Sequence, residues 1–229
     1  MKRFLTGIAV RLTEHTMSAG RKYFGWSEVS ERVMEYAFAI KTLGVGGKRR
    51  ILEVGCTDAH NCLPTLFAAL GHEVHGIDIR EFKVRYPSFT FSRQDVMSIS
   101  YPEHSFDNVV AISVVEHMGL KGRYGVSRRE SQGDRKAIEE MARVLKPDGR
   151  LVITVPYGKT FSVVGSFHRV YDRERLRNYL LSGLVIKNEE YAVRTSDGFW
   201  TTTSKDEADS VDTANGFRYA LAMFEIAKK

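Results

Sequence analysis

At 229 residues the chain has the length of one domain, and 43% hydrophobic with 27% charged residues excludes the disordered and collagen-like classes. Two cysteines, Cys56 and Cys62, are too few for a disulfide scaffold and have no metal-ligand spacing; with no secretory leader, the expectation is a reducing, cytoplasmic setting. A net charge of +6 permits a polyanionic partner, but the basic residues gather into no long tail, so it demands none.

The leading stretch, MKRFLTGIAVRL, mixes basic residues with an apolar run that Arg11 interrupts. It is too short to span a bilayer and a poor signal peptide, so residues 1–26 read as a loosely amphipathic helical extension, with membrane-surface contact as the alternative. Ser27 has N-cap chemistry, and Val29, Val33, Tyr36, Ala37 and Ile40 share one helical face before VGGKR closes the segment. RRILEVGCTDAHN then carries an apolar strand pattern (Ile51, Leu52, Val54) into Gly55 and a polar turn. A helix follows with Leu63, Leu66, Phe67 and Leu70 on one face and Gly71 as its stop. Strand, tight turn and helix N-terminus together present free backbone N–H groups to a ligand. The second strand, Glu73 to Ile77, delivers Asp78, 23 residues beyond Gly55, where a carboxylate can accept both hydroxyls of a ribose.

Arg80 to Pro87 is basic and irregular; Phe89 to Ser92 reads as a third strand, followed by Asp95 and Val96. A buried fourth strand, Asn108 to Ile112, ends in Ser113, Glu116 and His117. Residues 118–133 form a long polar loop with four glycines, a binding loop by its length. Asp134 is expected to cap a helix with Ala137, Ile138, Met141, Ala142 and Leu145 inward, then Lys146-Pro147-Asp148-Gly149 turns into the strand RLVITVP. Tyr157 to Val170 reads as loop, and Asp172 as the cap of a helix that ends at Gly183. Two last strands, around Leu184 to Val193 and Arg218 to Ile226, flank a polar insertion at 196–216 and suit an antiparallel hairpin at a sheet edge. Alternating strands and helices predict an α/β, doubly wound, mostly parallel sheet in one domain over 1–229. In such sheets ligands bind beyond the carboxyl ends of the strands, and Gly55, Asp78, Asp95 and Ser113 all sit there.

With these residues in hand the chain, from about Ser27 to Lys228, resembles the class I S-adenosylmethionine-dependent methyltransferases: LEVGCTDAH, GIDIR, SRQDV, FDNVVAISVVEHM and LKPDGRLVITVP occur in order. The resemblance implies a Rossmann-like sheet of seven strands whose C-terminal strand is antiparallel, and S-adenosyl-L-methionine as cofactor. It implies that Glu53, Gly55, Cys56 and Thr57 line the methionine end, Asp78 holds the ribose with Ile79 on the adenine, and Asp95 and Val96 meet the adenine edge. Ser113 and His117 would then flank the sulfonium and the acceptor. One departure stands out: the family's Gly-x-Gly-x-Gly turn reads Gly55-Cys56-Thr57-Asp58-Ala59 here. Side chains at Thr57 and Ala59 argue against a dinucleotide pyrophosphate; a nucleoside with an amino-acid tail needs less room. The second half (EHMGLKGRYG, TVPYG, HRVYDRERL) is similar to a subgroup found with sugar and cell-surface glycan biosynthesis, which implies O-methylation of a sugar hydroxyl.

A hydroxyl acceptor benefits from a general base, worth roughly 10²–10⁴-fold. The candidates are His117, Asp134 and His168, each with a structural alternative: packing on the cofactor, helix capping and an ordinary loop position. Tyr157, Arg169 and Tyr171 are candidates for acceptor recognition, and Arg123 for a phosphate on a nucleotide- or lipid-linked acceptor. No metal site is expected, a small-molecule or glycan acceptor is preferred to nucleic acid, and homodimer formation is left open. The insertions at 118–133 and 196–216 are expected on the substrate side. An RNA methyltransferase and a non-catalytic cofactor-binding module are the competing readings.

Overall fold

The computed structural model describes residues 30–44, 46–57, 61–122, 124, 126, 129–214 and 218–229. The expected extension at 1–26, the Ser27 cap, the turn residues Asp58 and Ala59, and Arg123 lie outside the described residues.

In chain order the elements are α1 (Arg32–Leu43), β1 (Arg50–Val54), α2 (Leu63–Ala69), β2 (Glu73–Asp78), β3 (Phe89–Arg93), β4 (Phe106–Ile112), a 3₁₀ turn (Val115–His117) and α3 (Gly133–Val144). Then come β5 (Leu145–Tyr157), β6 (Ser162–Val164), β7 (His168–Val170), a π-helical turn (Arg175–Leu180), β8 (Leu184–Arg194), β9 (Trp200–Thr203), α4 (Lys205–Ser210) and β10 (Ala220–Lys228). Eight strands form one sheet in the order β3-β2-β1-β4-β5-β10-β8-β9. The first five are parallel to one another, and β10, β8 and β9 are each antiparallel to the preceding neighbour.

β1 and β4 are almost wholly buried because both faces of a parallel sheet are covered. On one face Phe38, Leu43, Leu63 and Phe67 of α1 and α2 pack on Ile51, Val74, Val110 and Val152. On the other, Ile138, Met141, Leu176 and Leu180 pack on Leu52, Val54 and Val109. β1 has β2 on one side and β4 on the other, so their connections leave in opposite directions and open a crevice at the carboxyl ends.

Several expectations are corrected. The sheet has eight strands, not seven: β9 comes from the polar insertion, whose Trp-Thr-Thr-Thr run has the β-branched and aromatic character of a strand without an apolar face to announce it. The terminal hairpin therefore does not lie at the edge; β10 inserts between β5 and β8. The α1 face is rotated: Glu35, Phe38, Ala39, Thr42 and Leu43 are buried, while Val33 and Ala37 are exposed. The Lys146-Pro147-Asp148-Gly149 segment is not a turn ahead of the strand but lies within β5 as a bulge, where the pairing jumps from Phe106↔Leu145 to Asn108↔Arg150. Within 157–170, a hairpin of β6 and β7 replaces the expected loop. Asp134 sits in the first turn of α3, and Gln132 occupies the cap.

The long polar loop closes on itself at its base. Glu130 N–H donates to Gly119 O at 2.9 Å, and a Cβ on Gly119 would lie 2.0 Å from Glu130 O. Gly119 has φ +75° and Gly44, at the end of α1, has φ +71° with open space around it. Gly119→Ala therefore combines backbone strain with a collision against backbone, whereas Gly44→Ala adds the strain alone. Urea denaturation is expected to show Gly119→Ala losing about 1–3 kcal/mol more than Gly44→Ala.

Candidate functional site

β1 leaves the sheet at Gly55 with φ +77°, and a Cβ there would come within 2.3 Å of Val114 Cγ2. Only glycine lets the end of β1 pass this close to the chain leaving β4. The two chains frame an open cleft lined by polar and apolar side chains.

Asp78 lines one end of it. Its Oδ2 accepts from Thr57 Oγ1 at 2.6 Å and Thr57 N at 3.3 Å, and its Oδ1 accepts from Arg80 N at 2.8 Å. The Arg80 guanidinium spans both oxygens, Nε to Oδ1 at 3.1 Å and Nη2 to Oδ2 at 3.0 Å. Burial alone would raise the Asp78 carboxyl, but the hydrogen bonds from Arg80 and Thr57 outweigh it and hold the group below the usual carboxylate range. The Arg80 guanidinium also lies 4.3 Å from the centre of the Tyr124 ring, joining this end to the polar loop. Beyond it, Ile79, Asp95 and Val96 line the cleft, with Asp95 Oδ1 accepting from Met97 N–H at 2.9 Å.

Ser113, His117, Arg32 and Tyr36 line the same cleft. Ser113 takes a left-handed φ of +47°, an uncommon conformation for a residue with a side chain. Its hydroxyl donates to Glu35 Oε1 at 2.6 Å, which also accepts from Thr154 Oγ1 at 2.6 Å, while Arg32 bonds Glu35 Oε2. Glu35 is fully buried, so α1, β4 and β5 are tied at the cleft by one carboxylate. His117 Nδ1 lies 2.6 Å from Phe167 O. A carbonyl only accepts, so Nδ1 carries the proton and the neutral ring keeps its lone pair on Nε2.

Gly55, Asp78, Ile79, Asp95, Val96, Ser113 and His117 thus share one cleft. Glu53, Cys56 and Thr57 stand behind its lining. Glu53 is bonded by Asn61 Nδ2, its other oxygen has no hydrogen-bond partner among the described residues, and burial pushes its carboxyl up to about 8. Burial, then Glu53 and Asp78, pushes the Cys56 thiol up as well, so it is no nucleophile. His168, Asp134, Tyr157, Arg169 and Tyr171 are buried outside the lining. Tyr157 bonds Asp209; Tyr171 donates to Asp134 Oδ2 at 3.0 Å. Sequence reasoning missed Arg32, Tyr36, Asn61 and Arg80. Arg80 adjoins a strand-end acid and was findable; Arg32 and Glu35 look like an ordinary surface helix pair in sequence. Among the described residues no group of three or more His, Cys, Asp or Glu is placed to hold a metal.

Residues 52–153 match the family described as a methyltransferase domain. Over 119 residues the chain is 29% identical to a protein of Mycobacterium tuberculosis described as a probable S-adenosylmethionine-dependent methyltransferase, covering 50% of this chain and 38% of that one. It is 26% identical over 157 residues to an uncharacterized methyltransferase of Bacillus subtilis, covering 62% of this chain and 56% of the other. The chain therefore spans well under two thirds of these relatives. In structure it is similar to the Burkholderia thailandensis 1,6-didemethyltoxoflavin-N1-methyltransferase, solved with 1,6-didemethyltoxoflavin and S-adenosylhomocysteine, at TM-score 0.59, 16% identity and coverage of 98% and 90%. It is also similar to the [4+2]-cyclase SpnF, at TM-score 0.57, 19% identity and coverage of 89% and 85%. At such identities the likeness is one of fold.

The Glu53 carboxyl gives a pH signature. Its folded value of about 8 stands above the ordinary carboxylate value of about 4.3, so the native state holds a proton that the unfolded state releases between them. Stability from this group is present below that window and lost as pH rises through it, by up to about 1.4 kcal/mol per unit. Urea titrations at about pH 5 and about pH 8 are expected to show Glu53→Gln gaining on the parent protein at the higher pH.

Proposed function

We propose that this protein transfers the methyl group of S-adenosyl-L-methionine to a hydroxyl of a small acceptor, with a sugar hydroxyl as the preferred chemistry. The observation that carries this reading is the single cleft that runs from the Asp78 carboxylate to the His117 imidazole. Asp78 suits a ribose diol, with Ile79 and Val96 offering apolar surface to a base and Asp95 an acceptor for its amino group. Glu53 and Asn61, behind and beside Gly55, suit the amino-acid tail, since a buried carboxyl oxygen unpartnered among the described residues can accept a hydrogen bond from an ammonium.

The cofactor supplies a methyl group already activated by its sulfonium. The chain must then align an acceptor oxygen and exclude water. A neutral hydroxyl is a weak nucleophile, and His117, with its lone pair on Nε2, can take the hydroxyl proton as the new bond forms. A proton gained at Nε2 sits 3.5 Å from Glu116 Oε1.

Calorimetry with S-adenosylmethionine tests the first half. Binding is expected, and Asp78→Ala is expected to weaken it roughly 10–100-fold, the worth of hydrogen bonds to a charged group. Retained affinity in Asp78→Ala would sink the cofactor placement. Methyl transfer from labelled cofactor to fractionated cell extract, read by mass spectrometry, tests the second half. His117→Gln is expected to lower kcat by roughly 10²–10⁴-fold with cofactor affinity retained. Cofactor binding without turnover on any fraction would favour a non-catalytic module instead.

A further inference from the structure

We propose that Arg169 and Asp134 are positioning residues for His117, acting as a buried strut that sets the ring's tautomer. The chemical meaning of the strut rests on the proposed role of His117; its existence does not.

The turn Val115–His117 is a single 3₁₀ turn, too short to hold its own shape, and the carbonyls at its end lack partners within it. Arg169 supplies them. Its Nη1 donates to Glu116 O at 3.2 Å and to Met118 O at 2.7 Å. Arg169 is 4% exposed, and its Nε lies 3.5 Å from Asp134 Oδ2. Asp134 is fully buried and takes hydrogen bonds from Tyr171 at 3.0 Å, Tyr179 at 3.3 Å and Arg135 N–H at 3.0 Å. The guanidinium thus has a fixed counter-charge on one side and two backbone carbonyls on the other.

The same hairpin meets the ring directly. Phe167 O, two residues before Arg169, accepts the His117 Nδ1 proton at 2.6 Å, and the hairpin turn is closed by Phe167 N–H to Val164 O at 2.8 Å. Arg169 pairs with Val163 across the hairpin, so its backbone and Phe167 O move as one unit. One short hairpin therefore grips the backbone on both sides of His117 and the ring of His117 itself. Losing the guanidinium would free the carbonyls of residues 116 and 118, and with them the register between Nδ1 and Phe167 O. Lysine keeps the charge but is a point donor that cannot reproduce the planar fork.

The test is ¹⁵N-resolved NMR of the His117 imidazole in the full chain, with the signal assigned by its loss in His117→Gln. The parent protein is expected to hold the Nδ1–H tautomer. Arg169→Met and Arg169→Lys are expected to average the two tautomers, and Asp134→Asn to shift the balance in the same direction. Cofactor affinity by calorimetry is expected to stay at the parent value, because none of these residues lines the cleft. With an acceptor in hand, kcat should fall roughly tenfold or more while KM for the cofactor holds. An unchanged His117 tautomer in folded variants overturns the proposal and leaves the pair a purely structural ion pair. Should Arg169→Met fail to fold, Arg169→Lys and Asp134→Asn decide by the same signal. A parent protein that binds no S-adenosylmethionine would defeat the functional reading and leave the tautomer result standing.

Discussion

The cleft exists because residue 55 has no side chain. A Cβ there would occupy the space of Val114 Cγ2, at 2.3 Å, and would push the end of β1 away from the chain leaving β4. That contact sets how closely the end of β1 approaches the chain leaving β4. A positive φ at Gly55 alone could be met by other means; the collision could not.

Three carboxylates hold the walls of that crevice, each by a different balance of charge and solvation. Asp78 is kept ionised by Arg80 and Thr57 against the pull of burial. Glu53, with a single amide partner, is driven the other way. Glu35 is fully buried yet joined to Arg32 and two hydroxyls. Buried charge is costly unless well bonded, so these pairs are better read as devices that fix geometry than as sources of net stability. Asp134 with Arg169 repeats the arrangement one layer out, beneath the turn that carries His117. Threonine at position 57, where the resemblance implies glycine, belongs to the same scheme. Its side chain does not block the cleft but bonds Asp78 from within, at 2.6 Å. Room given up for backbone approach is used to orient the carboxylate.

The sequence by itself determined the parallel half of the fold and the strand-tip residues that line the cleft. Runs such as Ile51–Val54 and Val109–Ile112 are apolar because they are buried on both faces, and a residue just past such a run must lie at a strand tip. Gly55, Asp78, Asp95 and Ser113 were legible for that local reason. Tertiary structure alone decided the rest, because the deciding partners are far apart in the chain. Glu35 is buried through hydroxyls 78 and 119 residues away, which is why an apolar-face reading of α1 chose the wrong side. His168, Arg169, Tyr171 and Asp134 were visible as a polar group, yet their placement behind His117 depends on a hairpin and a helix start that meet through Tyr171 and Asp134. Periodicity records what each segment hides; it does not record which distant group a buried polar atom must find.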